Sequence, residues 1–196
     1  VHFDAYKIID AIKSKIISRI TYVDTNIVDI GTDVNGISYL KDENGVNYEA
    51  DLYMDCTGFE SLLLEQKLEQ QFISFKSWLP NDRAVALQTQ YTNPEEECHP
   101  YTKATAMDAG WRWTIPVYDR IGNGYCYSSD YITPEQAEAE LREAVGEYDA
   151  PAKHLEMKCG THQAVAHKNV LAVGLAGGFV EPLEATGITF TTSTIR

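Results

Sequence analysis

Along the first fifty residues the spacing of apolar side chains changes from four to two, and that change limits what the chain can fold into. Ile8, Ile12 and Ile16 recur at every fourth position with Ile9 beside them, which predicts a helix over residues 4–18 capped by Asp4. Short β-branched runs follow at residues 20–23, 27–30, 37–40 and 46–48. Between them lie residues 31–36 and the turn Asp42-Glu43-Asn44-Gly45, whose Asn-Gly pair suits the positive φ of a tight hairpin. A helix followed by a small antiparallel meander is expected.

The same reading continues down the chain. Residues 51–55 form a further strand that stops at Cys56-Thr57-Gly58-Phe59, where a glycine lets backbone approach a ligand or simply makes a turn. A short helix over 61–71 and an acidic, proline-bracketed loop over 92–100 come next. Strands are expected at 104–107, 111–117 and 125–129, the last after a turn at Gly122-Asn123-Gly124. Thr133-Pro134-Glu135-Gln136 combines an N-cap, a proline at the first helical position and a capping-box glutamine, and Gly146 can end the helix it starts. Ala137, Leu141, Ala144 and Val145 are its expected buried face. A near-continuous apolar strand at 169–174 runs into Leu175-Ala176-Gly177-Gly178 and then a threonine-rich helix. The whole is a mixed α/β chain. No phosphate-cradling G-x-G-x-x-G follows a first strand, and the start at Val1 suggests an interior piece of something longer.

Charge and composition narrow the function classes. The formal charge is −13, which repels a polyanion such as nucleic acid. The apolar runs fall far short of the ~20 residues that cross a bilayer, and no secretory leader is visible. Cys56, Cys98, Cys126 and Cys159 are scattered without C-x-x-C or zinc-ligand spacing. They read as half-buried small hydrophobes in a reduced, cytoplasmic setting, with no metal.

Two segments can carry chemistry. In the run from Val173 to Ile188, glycines after a buried strand allow a flat ligand to lie against main chain. A helix starting near Thr186 aims free N–H groups at whatever sits there, which suits an anionic ring edge or a halide. Glu181 and Glu184 are acids in this apolar turn; a partly buried one would offer acid/base behaviour, and a dipole-stabilised one would not. In Gly110-Trp111-Arg112-Trp113-Thr114-Ile115-Pro116, Trp111, Trp113 and Ile115 point to one face of a strand. They make either an aromatic core ladder or a rigid wall that excludes water.

Together, the Trp111-x-Trp113-x-Ile115-Pro116 run, the Gly122-Asn123-Gly124-Tyr125 run, the Gly-Phe-Val-Glu-Pro-Leu-Glu run at 178–184 and the strand end at Asp55-Cys56-Thr57-Gly58-Phe59 resemble the flavin-dependent halogenases of the tryptophan halogenase family. The resemblance covers nearly the whole chain, from Phe3-Asp4-Ala5 onward. It implies a glutathione-reductase-type FAD fold with an antiparallel sheet, residues 1–196 being the central portion of one domain between a G-x-G-x-x-G unit and a C-terminal helical part. It also implies a site. Glu184 is the active-site glutamate beside a catalytic lysine that lies before Val1; Thr186 and Gly187 bind halide through backbone N–H groups. Gly58, Gly174, Gly177, Gly178, Pro182 and Ile188 line the flavin ring, and Trp111, Trp113, Ile115 and Pro116 form the barrier against direct hydroxylation. One departure is Ala185, where many members have serine.

The implied activity uses reduced FAD from a separate flavin reductase, oxygen and chloride, bromide or iodide. Hypohalous acid forms and halogenates tryptophan, another indole or another electron-rich arene. A hydroxylating flavin monooxygenase and an inactive flavin-binding relative remain alternatives.

Overall fold

The computed structural model describes residues 2–184 and 186–195, and of Glu184 the main chain alone. The chain divides into two compact units, residues 1–22 with 80–157, and residues 23–79 with 158–196.

The first unit is built on a five-stranded antiparallel sheet. Its strand order is Lys153–Glu156, Arg83–Thr89, Arg120–Tyr127, Gly110–Val117, Lys103–Met107. The helix Pro134–Val145 covers one face, and Val85, Leu87, Tyr125, Tyr127, Ala137 and Leu141 form the core between them. Its start matches expectation. Thr133 accepts from the Gln136 N–H, the Gln136 side chain accepts from the Thr133 N–H, and Gly146 closes the helix at φ 70°. Ala144, expected inside, is exposed, while Val145 packs against the core. Ahead of the sheet lies the helix Ala5–Ile16, capped by Asp4 as expected, with a 3-10 turn Ile17–Arg19 in place of its last predicted turn. Its start is tied to the sheet where Arg120 reaches Asp4 at 2.7 Å and His2 Nδ1 meets the Pro116 carbonyl at 2.7 Å.

Three sequence readings change in this unit. Residues 20–23 form no strand; among the described residues no strand pairs with them, and Tyr22 instead lies under the Lys13 ammonium, 3.9 Å from the ring centre. The loop over 92–100 contains a one-turn helix, Pro94–Glu97. The turn expected at Gly122-Asn123-Gly124 lies inside the strand Arg120–Tyr127, and the chain reverses at Tyr118-Asp119 instead. The reason is packing: Gly124 pairs with Trp113, and a Cβ on Gly124 would come within 1.8 Å of the indole. The glycine there makes room for an aromatic ring, not for a bend.

In the second unit, Ile27–Asp33, Gly36–Asp42 and Asn47–Tyr48 form the predicted meander. The first strand runs through the expected loop to Asp33, leaving a two-residue connection. The Asn169 side chain docks the meander as a strand would. Its carbonyl accepts from the Ile37 N–H and its amide donates to the Ile37 carbonyl, both at 2.8 Å. Gly36, at φ 131°, permits this approach, since a Cβ there would stand 2.0 Å from the Asn169 oxygen. Beside the meander, Tyr53–Asp55 pairs in parallel with Val170–Ala172, which also pairs with Ala166–His167. A third sheet joins Gly178–Phe179, Gly160–His162 and Phe72–Ser74. Ile37, Tyr53, Leu63, Leu64, Val170, Ala172 and Ala176 make the core.

The helix expected over 61–71 is a π-helical turn, Leu62–Lys67. Asp55, fully buried, dictates it: its carboxylate accepts from the Leu63 and Leu64 N–H groups at 2.9 and 3.0 Å and from the Thr57 hydroxyl at 2.6 Å. Of the four cysteines, Cys56 and Cys98 are exposed and Cys126 and Cys159 buried, so the half-buried expectation holds for none of them.

Candidate functional site

Parallel pairing of Tyr53–Asp55 with Val170–Ala172 makes both strands end in the same direction, and the crevice beyond such carboxyl ends is where open α/β sheets bind ligands. The Val173 N–H donates to the Asp55 carbonyl at 2.9 Å, extending the register into the two loops. The 3-10 turns Gly58–Glu60 and Gly174–Ala176 then pack together, with the Ser61 hydroxyl donating to the Ala176 carbonyl at 2.9 Å. Phe59 meets Phe179 edge to face at 5.5 Å. Residues 115 positions apart in sequence thus form one corner.

Next to this corner lies a cavity of about 430 Å³, within the ~300–1,000 Å³ of small-molecule pockets. Gly160, Gly174, Gly177, Gly178, Gly187 and Ile188 contribute walls, with Phe75, Val180 and Phe190 supplying apolar surface. Gly174 sits at φ 65°, where other residues are unfavourable, and a Cβ on Gly177 would press on the Ala172 carbonyl at 3.1 Å. The backbone is therefore laid bare along one side of the cavity.

The helix Gly187–Thr194 begins at the cavity, and the side chain of its N-cap Thr186 accepts no capping hydrogen bond from the first-turn N–H groups. One face of this helix, Gly187, Ile188, Phe190, Thr191 and Thr194, runs along the cavity, so that its first turn stands at the cavity wall. Before the helix, Glu181 accepts from the Leu183 N–H at 2.9 Å across the turn Pro182–Glu184. The Glu184 side chain and Ala185 lie outside the described residues.

Of the predicted flavin-lining residues, Gly174, Gly177, Gly178 and Ile188 line the cavity, as does the predicted halide residue Gly187. Gly58 belongs to the packed corner, and Pro182 and Thr186, both half-buried, adjoin the walls in sequence without forming them. Sequence reasoning missed Gly160, Thr161 and Phe75. Gly160 could have been suspected: it lies in a strand at φ 159°, and a Cβ there would strike the Phe72 ring at 2.5 Å. Cys56, at the strand end, is no reactive thiolate, because desolvation and then the Asp55 charge push its thiol up.

In the first unit Trp111 and Trp113 share a face, as alternation requires, with ring centres 6.0 Å apart. Their paired neighbours are Ala104, Ala106, Gly124 and Cys126, all small, and they face away from the Tyr125–Tyr127 core under the helix. Neither indole joins that core. The pair lies half-buried on the sheet face opposite that core. Ile115 pairs with Gly122 on the same face, and Pro116 is buried at the strand end.

A family model for tryptophan halogenase matches residues 1–196. The chain belongs to the tryptophan halogenase family. It is 42% identical over 193 residues to the 7-chloro-L-tryptophan 6-halogenase KtzR of Kutzneria sp. (strain 744), covering 96% of this chain and 37% of that protein. Identity to the tryptophan 6-halogenase SttH of Streptomyces toxytricini is also 42%, with the same coverage. Among solved structures, Tar14, described as a tryptophan C-6 flavin-dependent halogenase (chlorinase) from taromycin biosynthesis, superposes with a TM-score of 0.91 at 45% identity, covering 98% of this chain and 38% of that one. The chain therefore spans a little over a third of the length of these halogenases. The mixed α/β architecture with antiparallel sheets expected from sequence is the architecture of these flavin-dependent enzymes. Among the described residues no cluster of metal-ligating side chains occurs, and no helix is long and apolar enough to cross a membrane.

Proposed function

We propose that this chain is the central portion of the FAD-binding domain of a cytoplasmic tryptophan halogenase, and that its glycine-lined cavity receives the flavin ring. What carries the reading is the run of bare glycine backbone ending at the helix start of Gly187. A flat apolar ring fits between walls without Cβ atoms, and its anionic edge suits a helix N-terminus. Gly174, Gly177, Gly178 and Ile188, which line the cavity, hold the ring, with Gly58 in the adjoining corner and Pro182 next to the walls in sequence. The Thr186 and Gly187 N–H groups hold a halide beside it.

Bound in reduced form, delivered by a transient flavin reductase, the flavin supplies two electrons to oxygen; the halide supplies two more and leaves as hypohalous acid. Trp111, Trp113, Ile115 and Pro116 take the role of the family's barrier, which keeps water from that oxidant. Glu184 takes the ring proton that the incoming halogen replaces, an assistance worth about 10²–10⁴-fold. Tryptophan is the substrate favoured by the names of the similar proteins, the three given above all being described as 6-halogenases.

The test uses the full-length protein with FAD, a flavin reductase, air, bromide and tryptophan, followed by mass spectrometry. A product with the isotope doublet of one bromine is expected. Hydroxytryptophan, or unmodified tryptophan beside bound and turning-over flavin, would overturn the proposal.

A further inference from the structure

Behind the glycine turn lies a buried polar couple with no part in the chemistry proposed for the cavity. His162, 4% exposed, ends the strand Gly160–His162. Its Nδ1 lies 3.2 Å from the Gly177 carbonyl oxygen, and its main-chain N–H donates to the same oxygen at 3.3 Å. The Thr161 hydroxyl also donates to it, at 3.3 Å. On the far side of the ring, Nε2 lies 3.2 Å from a carboxylate oxygen of Glu65, which Lys158 approaches at 3.4 Å. Phe72 meets the imidazole edge to face at 5.2 Å. Both ring nitrogens therefore face acceptors. A neutral imidazole carries a proton for one of them, so making both contacts takes a second proton, held between His162 and Glu65.

The Gly177 carbonyl matters because of what it is joined to. Its peptide is trans and planar, so the Gly178 N–H points opposite to the oxygen that His162 and Thr161 hold. Gly178 lines the cavity. One face of this peptide is pinned by three donors, and the other belongs to the site.

We infer that His162, braced by Glu65, is a positioning residue of the flavin cradle: it clamps the Gly177 carbonyl and so keeps the Gly178 N–H turned toward the cofactor. The inference rests on the flavin role proposed for this cavity. The clamp is complete when both ring nitrogens donate, one to the Gly177 carbonyl and the other to Glu65. Glu65 and, through it, Lys158 are the charged groups that the described residues bring to the ring.

The experiment measures the FAD dissociation constant of the full-length protein by flavin fluorescence from about pH 6 to 9, the range in which histidine titrates. Wild type, Glu65→Gln and His162→Gln are compared, with melting temperatures taken in parallel. Wild-type affinity is expected to fall about tenfold across the range, the worth of one charge-assisted hydrogen bond. Glu65→Gln moves the fall to lower pH. His162→Gln, whose amide keeps one donor at every pH, gives a flat profile. A purely structural role would lower the melting temperatures and leave the profiles parallel, which overturns the inference. So does a flat wild-type profile, and in both cases flavin binding itself stands. If His162→Gln does not fold, a Glu65→Gln profile that matches wild type overturns it. Wild-type protein that binds no FAD at any pH overturns the flavin reading as well.

Discussion

At the scale of single residues, the side chains with the most consequence are those that decide whether something else fits. Gly124 gives Trp113 its place, and Gly124→Val would force the indole off the strand. Overpacking of that kind costs about 1–3 kcal/mol. Thermal unfolding should register the loss, and tryptophan emission should shift red as the wall opens. Glu184 is the residue on which the proposed chemistry turns. Glu184→Gln in the full-length protein should lower halogenation about 10²–10⁴-fold while FAD affinity stays level. Turnover equal to wild type would remove the carboxylate from the reaction. The two glycine roles also show what local sequence conceals. Gly122-Asn123-Gly124 is as good a turn signal as Asn44-Gly45, yet only the second turns, with Gly45 at φ 81°. Which one bends depends on a tryptophan eleven positions upstream of Gly124, across the sheet.

At the scale of elements, what was readable is what is decided within a few residues. The Thr133 capping box, the Asp4 cap and the Gly146 stop are local contacts, and each stands where the sequence put it. The π turn at Leu62–Lys67 was not readable, because the carboxylate that sets it belongs to Asp55, in the preceding strand. His162 and Glu65 are 97 positions apart, and no periodicity links them. Thr133→Ala should remove one half of the capping box and cost about 1 kcal/mol in thermal unfolding, with a small loss of helical ellipticity. The helix Ala5–Ile16 offers a pH test. The Arg120 guanidinium, then the Lys7 and Tyr6 N–H groups, hold the Asp4 carboxyl below its ordinary value of 3.8. A carboxylate lowered by folding stabilises above 3.8, and that support fades as pH falls through its lower native value. The melting temperature of wild type should therefore drop more steeply in acid than that of Asp4→Asn.

At the scale of the whole chain, a charge of −13 is a source of self-repulsion as well as of solubility. Raising ionic strength from about 0.01 to 0.15 M shortens the screening length from about 30 to 8 Å, so the melting temperature should rise with salt before it levels. A steady fall would mean that attractive ion pairs such as Arg120–Asp4 outweigh the repulsion. The parallel strand pair explains why so much of the candidate site could be named in advance: its glycines cluster beside one strand end, within a stretch of fifteen residues from Gly174 to Ile188. The distant partners, Gly160 and Phe75, needed the folded chain. The Asn169 amide has a consequence of another kind. A hairpin that meets its neighbour at the Asn169 carboxamide, the Tyr53 hydroxyl and the Ile37 side chain is a module with a natural seam, whose exposed tip at Val34-Asn35 can be exchanged without redrawing the sheet that frames the cavity.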